Sequence, residues 1–358
     1  MLLLYIRNSC IEEFVSFLNC AIMKKLFYSF SIVYLGVLII DPITHGLIGA
    51  AITGLSGHSL KLTDPIILGC VLGAMAPDLD IVTHVKGRLN YLLKHRGASH
   101  SLLALGGIAL SLGSIVHFIF PTSTWLTVVF WTLVGTLSHG LVDLLNSYGA
   151  QLLWPFHKKK FTVNMAMLSD PMIFLIFLAN LIASLIYPQG NTYFSIAAVL
   201  VALVYLFLRE MDRYQKKKKL ESYFKVSSEQ IKVLPAIYKP FSWAFLLFRQ
   251  DKVIVGILKK KEVKILKELP QWDAEDPLIN HALEGGLADI FAAFTPYFHV
   301  MRVDDGSEAR IKFFDLRYWD KGDFLYTGEV RICPDGKIAE ERFYSFGNKN
   351  AQGIVLDY

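Results

Sequence analysis

The chain has 358 residues, 53% of them apolar and 19% charged, against about 25% charged in an ordinary soluble domain. That balance, with a mean hydropathy of +0.41, excludes a disordered chain, a fibrous repeat protein and an ordinary soluble enzyme. It points to a membrane protein with a soluble part. The net charge of +5 sits in short basic runs that speak to topology, so no nucleic-acid partner is expected.

Residues 1–40 read as an N-terminal extension. Lys24 and Lys25 precede the apolar run 26–40, which has the form of a signal anchor without an Ala-x-Ala cleavage site. A span there would put Asp41 on the far side and break the topological count below, so the working protein is expected to start near Ile40.

Residues 41–208 read as an all-α, multi-pass membrane domain of about six spans or half-spans. A span needs about 20 apolar residues. Segments 101–120 and 124–145 qualify, and 42–60 carries no Asp, Glu, Lys or Arg. Segments 171–187 and 192–208 are shorter and are divided by the turn signal Pro188-Gln189-Gly190-Asn191. Segment 65–77 is short and glycine-rich, as in a thinned span or a buried re-entrant helix. Asp41-Pro42, Asp64-Pro65 and Asp170-Pro171 each place a capping acid before a first-turn proline, so each is expected to start a helix.

Lysines and arginines set the orientation. Lys86, Arg88, Lys94 and Arg96 lie in one connection, Lys158, Lys159 and Lys160 in the next, and 209–219 is a basic linker. Pairs of spans separate these stretches, so all three are expected on the cytoplasmic side of the inner membrane, with Asp41 and His45. Residues 220–358 read as a small cytoplasmic α+β domain. Its strand-like segments are 253–258, 300–303, 309–318, 324–333 and 338–344, and 277–294 reads as one helix. Pro334-Asp335-Gly336 joins the last two strands as a hairpin. No catalytic motif is visible there: His281 and His299 stand alone and read as structural. Cys10, Cys20, Cys70 and Cys333 have neither metal-type nor disulfide-type spacing.

The functional signal lies in polar groups at or inside the apolar segments, where they are costly. Asp41 and His45 stand one turn apart. Asp78 and Asp80 follow a helix-ending proline and point to one side of an extended segment. His95 and Arg96 precede Gly97, with Ser99 expected to cap the following helix and His100 at its N-terminus, where a neutral imidazole is favoured. His139, Asp143 and Asn146 stand at i, i+4 and i+7, on one helical face at the end of a span. Each cluster has a bland alternative as a cap, a solvated loop or a polar seam between helices. The topology, however, puts all four at one membrane surface, and imidazoles mixed with carboxylates suit zinc, with manganese or iron as alternatives.

In this order the clusters resemble the membrane-bound metal-dependent hydrolase family, also described as LexA-binding, inner-membrane-associated hydrolases, in a bacterial form with a soluble C-terminal extension. The likeness runs from 41 to 208. It rests on Asp-Pro-Ile-Thr-His-Gly at 41–46, Pro-Asp-Leu-Asp at 77–80, His-Arg-Gly-Ala-Ser-His-Ser at 95–101 and Ser-His-Gly-Leu-Val-Asp-Leu-Leu-Asn-Ser-Tyr-Gly at 138–149. The resemblance implies a helical protein that begins near Asp41. It also implies distant kinship with zinc-dependent phospholipases C and single-strand nucleases, helical phosphodiesterases with His and Asp metal clusters.

The expected function is a membrane-bound metal-dependent hydrolase. A subset of His45, Asp78, Asp80, His95, His100, His139 and Asp143 would hold the metal, whose bound water would be the nucleophile. Asp80 would serve as base and Arg96 would steady developing negative charge. Asp41, Ser99 and Asn146 would position substrate or ligands. The expected substrate is a phosphoester at the lipid headgroup. The alternatives are a non-catalytic scaffold or regulatory protein presenting the C-terminal domain, or a transporter, although no repeat relates 41–145 to 170–208.

Overall fold

The computed structural model describes residues 33–345 and 354–355, apart from 59, 62, 81–87, 238, 260, 261, 306, 307 and 321. Most of the expected extension, residues 1–32, therefore lies outside the described residues, as does Lys86.

The N-terminal half is helical. It comprises α1 (Val33–Gly54), α2 (Pro65–Met75), α3 (Arg88–Lys94), α4 (Leu102–Ile119), α5 (Trp125–Leu144), α6 (Pro171–Ile186) and α7 (Asn191–Phe224). Two of the expected Asp-Pro starts are caps: Asp64 accepts from the Ile66 amide at 2.9 Å, and Asp170 from the Met172 amide at 3.0 Å. The third is not. The helix runs unbroken through Asp41, with Pro42 inside it, because the apolar run before Asp41 continues the helix and the carboxylate has a partner elsewhere. The cap of α4 is Ser101, whose hydroxyl accepts from the Ala104 amide, while Ser99 lies in a short 3-10 turn spanning Ala98–His100.

Three helical stretches are long and apolar enough to cross a membrane: Leu102–Ile119, Trp125–Leu144 and Pro188–Phe224. Among the described residues this is fewer than the expected six or so spans or half-spans, and for α2 and α6 length is the reason. The 11 residues of α2 and the 16 of α6 reach only about 16 and 24 Å at 1.5 Å per residue, short of a hydrocarbon core of about 30 Å. The spanning helices face outward with apolar side chains such as Leu110, Ile115, Leu126, Phe130, Leu203 and Phe207, while Thr132, Thr136, Ser138 and Ser195 are buried. This inside-out pattern suits a lipid surround.

Within the bundle, α2 is a buried half-length helix pressed against α5. A Cβ at Gly135 would lie 2.1 Å from the Cys70 carbonyl oxygen, and one at Gly73 would lie 2.5 Å from that of Thr132. Only glycine permits this approach, and it brings the C-terminal end of α2 beside the last turns of α5.

The C-terminal part is built of antiparallel sheets. Strands β1 (Ile231–Pro235), β2 (Ser242–Phe248), β3 (Lys252–Lys259) and β4 (Glu262–Pro270) form a meander. It packs on the end of α7 through Leu220, Trp243, Phe245 and Leu258. The second sheet has the order β11-β10-β9-β6-β5. Its strands are β5 (Phe298–Asp305), β6 (Glu308–Asp315), β9 (Tyr326–Ile332), β10 (Ile338–Ser345) and β11 (Ile354–Val355), with β7 (Trp319–Asp320) and β8 (Asp323–Phe324) as a separate small hairpin. The expected hairpin around Pro334-Asp335-Gly336 is the β9–β10 pair. The expected single helix over 277–294 is two, α8 (Pro277–Leu283) and α9 (Gly286–Phe294). Glu341 forces the break: its carboxylate accepts from the Leu287 amide at 3.2 Å and fills the space beside Gly285.

This sheet sits on the end of the bundle where α5 terminates. Leu89, Leu92 and Tyr148 pack against its core of Phe291, Phe294, Phe313 and Phe343. The Tyr148 hydroxyl donates to that of Tyr326 at 2.9 Å, and Arg317 donates to the Ser147 carbonyl at 2.9 Å.

A candidate metal centre at the helix ends

The last turns of α5 carry the first two groups. His139 and Asp143 are one turn apart and fully buried. The His139 Nδ1 lies 2.7 Å from the Ala74 carbonyl oxygen at the end of α2. A carbonyl only accepts, so Nδ1 bears the hydrogen and the Nε2 lone pair faces the interior. His45 arrives from α1 and stacks on His139 with ring centroids 3.9 Å apart. Asp78 lies just past the end of α2, and the 3-10 turn before α4 delivers His100.

These five side chains converge. His100 Nε2 lies 3.0 Å from His139 Nε2, 3.2 Å from Asp143 Oδ2 and 3.7 Å from Asp78 Oδ1. His139 Nε2 lies 3.4 Å from Asp143 Oδ2 and 3.6 Å from Asp78 Oδ1, and His45 Nε2 lies 3.6 Å from Asp143 Oδ1. Ligands held about 2.1 Å from a tetrahedral ion are about 3.4 Å apart, so these spacings have the right scale. Two overlapping triads emerge, His45–His139–Asp143 and Asp78–His100–His139. They share His139, whose Nε2 has one lone pair, so that residue can serve only one ion.

The donor set fits a cation on a second ground. Both ring nitrogens of His45 and both oxygens of Asp78 are buried without a hydrogen-bond partner among the described residues. Buried polar atoms are rarely left so. A divalent cation would satisfy one nitrogen of His45 and the Asp78 carboxylate.

The other predicted residues surround this group. Arg96, at a left-handed φ of +59°, sends Nη2 to Asp41 at 2.7 Å and to Asp143 at 2.9 Å. Its guanidinium therefore orients a carboxylate of the cluster. Asp80 and His95 pair with each other at 2.7 Å, and Asp80 also accepts from Ser99 at 2.9 Å. Asn146 turns the chain after α5: its Oδ1 accepts from the amides of Tyr148 and Gly149 at 2.9 and 3.2 Å.

Burial and charge set the protonation of the groups outside the helical spans. Burial raises the Asp78 carboxyl, but the facing imidazoles, His100 foremost, bring it below the usual carboxylate range. Burial also lowers His100, and its contacts with Asp143 and Asp78 more than reverse this, lifting it to about 9. Burial pushes His95 down against the pull of Asp80, while Asp80 is lowered by His95 despite its own burial.

One cation beside the site was not singled out by its sequence context. Lys160 Nζ donates to the His95 carbonyl at 3.2 Å. Burial, then Arg317 and Arg96, lower it to about 7 against the pull of Asp80 and Asp143. It belongs to the run Lys158–Lys160, which served only to set orientation. Nothing in the run distinguishes its third member from two exposed neighbours. Arg317 carries no local signal either, since the Ser147 it binds lies 170 residues away.

Residues 40–215 match the family model for YdjM inner membrane protein. The chain is also similar to the uncharacterized protein YfhP of Bacillus subtilis (strain 168), 28% identical over 307 residues, covering 82% of this chain and 92% of that protein. No solved structure matches. The family match spans α1 to the basic part of α7 and supports membrane association. The relative extends the likeness beyond the residues of the family match.

Proposed function

We propose that this chain is an inner-membrane protein of the YdjM kind that works as a metal-dependent hydrolase on a phosphoester at the level of the lipid headgroups. The observation that carries the reading is the buried convergence of His45, Asp78, His100, His139 and Asp143, with His100 and His139 Nε2 atoms 3.0 Å apart. Two facing imidazole nitrogens among carboxylates can share a proton or a divalent cation, and this donor set suits zinc, with manganese or iron as alternatives.

When bound, the cation supplies Lewis acidity and a water of lowered pKa. The residues around it supply the rest. Arg96 fixes the buried Asp143 and the half-buried Asp41 on one guanidinium. The Ala74 carbonyl fixes the His139 tautomer. Asp80 orients His95 and keeps Ser99 beside it, so the pair can hold and move a proton at the edge of the cluster. The half-buried Lys160 adds positive charge at that edge, which favours an anionic substrate group. The basic connections at this end of the bundle support a cytoplasmic position for it under the positive-inside rule.

The test is metal analysis of the detergent-purified protein, followed by His139→Ala and Asp78→Ala. Loss of metal in both variants supports the centre, and full occupancy in both removes it. A scaffold reading draws support from the docking of the C-terminal sheets on Tyr148 and Ser147. It expects site variants to keep full biological function, so complementation by His139→Ala separates the two. A transporter draws less support, because the buried ionisable cluster gathers at one end of the bundle.

A further inference from the structure

Between α5 and α6 the chain makes a hairpin closed by the Ala150–Phe161 bridge. It is pinned to the site loop by the Gln151 amide on the Arg96 carbonyl at 3.1 Å and by Lys160 on the His95 carbonyl. Its height is fixed too. The Leu102 amide, the first of α4, donates to the Leu152 carbonyl at 2.9 Å, so Leu152 lies level with the first residue of a membrane-crossing helix. The next residues are exposed and apolar: Leu153 at 44%, Trp154 at 39% and Phe156 at 85%. Lys158 and Lys159 follow, exposed and with no ion-pair partner among the described residues. Leu79, between the two acids of the neighbouring loop, is 64% exposed.

The far end of the bundle has the matching feature. Phe118, Trp125, Tyr187 and Tyr193 are exposed at the α4–α5 and α6–α7 turns. The 20 residues of α5 span about 30 Å between these levels, the thickness of a hydrocarbon core. Aromatic rings at both levels mark the two edges of a bilayer. At the site's edge the aromatics are followed by unpaired lysines, the composition that meets anionic headgroups.

We infer that the 150–161 hairpin is a membrane-interface anchor for anionic phospholipid, with Leu153, Trp154 and Phe156 entering the edge of the hydrocarbon and Lys158 and Lys159 meeting headgroup phosphates. The inference concerns the surface alone and does not rest on the cluster holding a metal. It has a consequence for the site, because the hairpin grips the backbone of His95 and Arg96. Its seating in the leaflet holds the loop bearing His95 and His100 at headgroup height.

The experiment uses the full chain with Cys10, Cys20 and Cys333 replaced by serine and the buried Cys70 kept. Phe156→Cys, at an exposed position, carries an environment-sensitive fluorophore. Asp335→Cys in the β9–β10 turn is the aqueous control. The protein is reconstituted in phosphatidylcholine vesicles with or without phosphatidylglycerol, with part of the lipid brominated on its acyl chains. Bromolipid is expected to quench the label at 156 and spare that at 335. Lys158→Gln with Lys159→Gln is expected to remove roughly half of the quenching in the presence of phosphatidylglycerol, since the two lysines draw the hairpin toward an anionic surface. A label at 156 quenched by aqueous iodide and untouched by bromolipid overturns the anchor. A label shielded from both puts a protein surface there and overturns it equally. Quenching that ignores phosphatidylglycerol and the two lysines removes the anionic-headgroup assignment.

Discussion

His100 and His139 turn their Nε2 atoms toward one another across 3.0 Å, although the two residues come from different helices. Only one of the pair can carry a hydrogen in that gap, and His139 already has its hydrogen on Nδ1. Without a metal, His100 is therefore the proton holder of the cluster, lifted to about 9 by Asp143 and Asp78. A cation must displace that proton. Metal affinity is expected to rise about tenfold per pH unit through neutrality and to level off above 9. The stability of the metal-free protein runs the other way. A raised histidine contributes stability that is complete below its unfolded value near 6.5 and is lost as pH rises through 9. Chelator-competition titrations and melting curves from pH 6 to 10 check both. A pH-independent affinity would remove His100 from the ligand set.

Arg96 bridges Asp41 and Asp143, two carboxylates from different helices, through a single nitrogen. Arg96→Gln leaves the buried Asp143 and the half-buried Asp41 without their cation, a loss of about 3–5 kcal/mol for a broken buried pair. Adding Asp41→Asn to Arg96→Gln removes one stranded charge and is expected to restore part of the loss. Thermal unfolding in detergent measures it. If the double variant is no more stable than the single one, the two acids do not compete for the same guanidinium.

The parts of this site that were legible in the sequence are those with a local period. His139 and Asp143 share a face because four residues make one helical turn, and Asp64 and Asp170 cap because the next residue is a proline. What was not legible depends on distant partners. Asp41 has the same local signature as those caps, but Arg96, 55 residues on, engages its carboxylate inside an unbroken helix. Ser99 and Ser101 are equal candidates for the α4 cap by type. Asp80 settles the choice by accepting from Ser99. The count of spans was partly legible: segment 65–77 reads as short and glycine-rich, and the contact of Gly73 and Gly135 across α2 and α5 decides for a buried half-length helix over a thinned span.

Arg317 joins the two halves of the molecule. It is buried against Asp315 at 2.8 Å, donates to the Ser147 and Phe294 carbonyls, and lies over the Tyr148 ring at 4.7 Å. Arg317→Ala strands Asp315 inside the C-terminal core and is expected to cost about 3–5 kcal/mol. Tyr148→Phe removes only the bond to the Tyr326 hydroxyl and is expected to cost about 1 kcal/mol. Limited proteolysis of the C-terminal sheets reads both. Equal protease resistance in wild type and Arg317→Ala would show that the contact does not hold the halves together.

Lys160 is the group at the site's edge with the clearest pH signature. Burial and the nearby charges of Arg317 and Arg96 lower it to about 7 from an ordinary value of 10.5. A lowered folded pKa means the folded state prefers the neutral amine. Its contribution is complete above the unfolded value, falls as pH drops between the two values, and is fully lost below about 7. Lys160→Gln keeps a donor for the His95 carbonyl and removes the charge. The variant is therefore expected to melt higher than wild type at pH 6, with the advantage shrinking toward pH 10. The same charge is what would attract an anionic substrate group, so the variant should bind inorganic phosphate more weakly at pH 6 while it gains stability. Opposite movement of these two readouts is the signature of a cation held at a cost for binding. A variant that loses stability at pH 6 would assign Lys160 to holding the His95 loop in place.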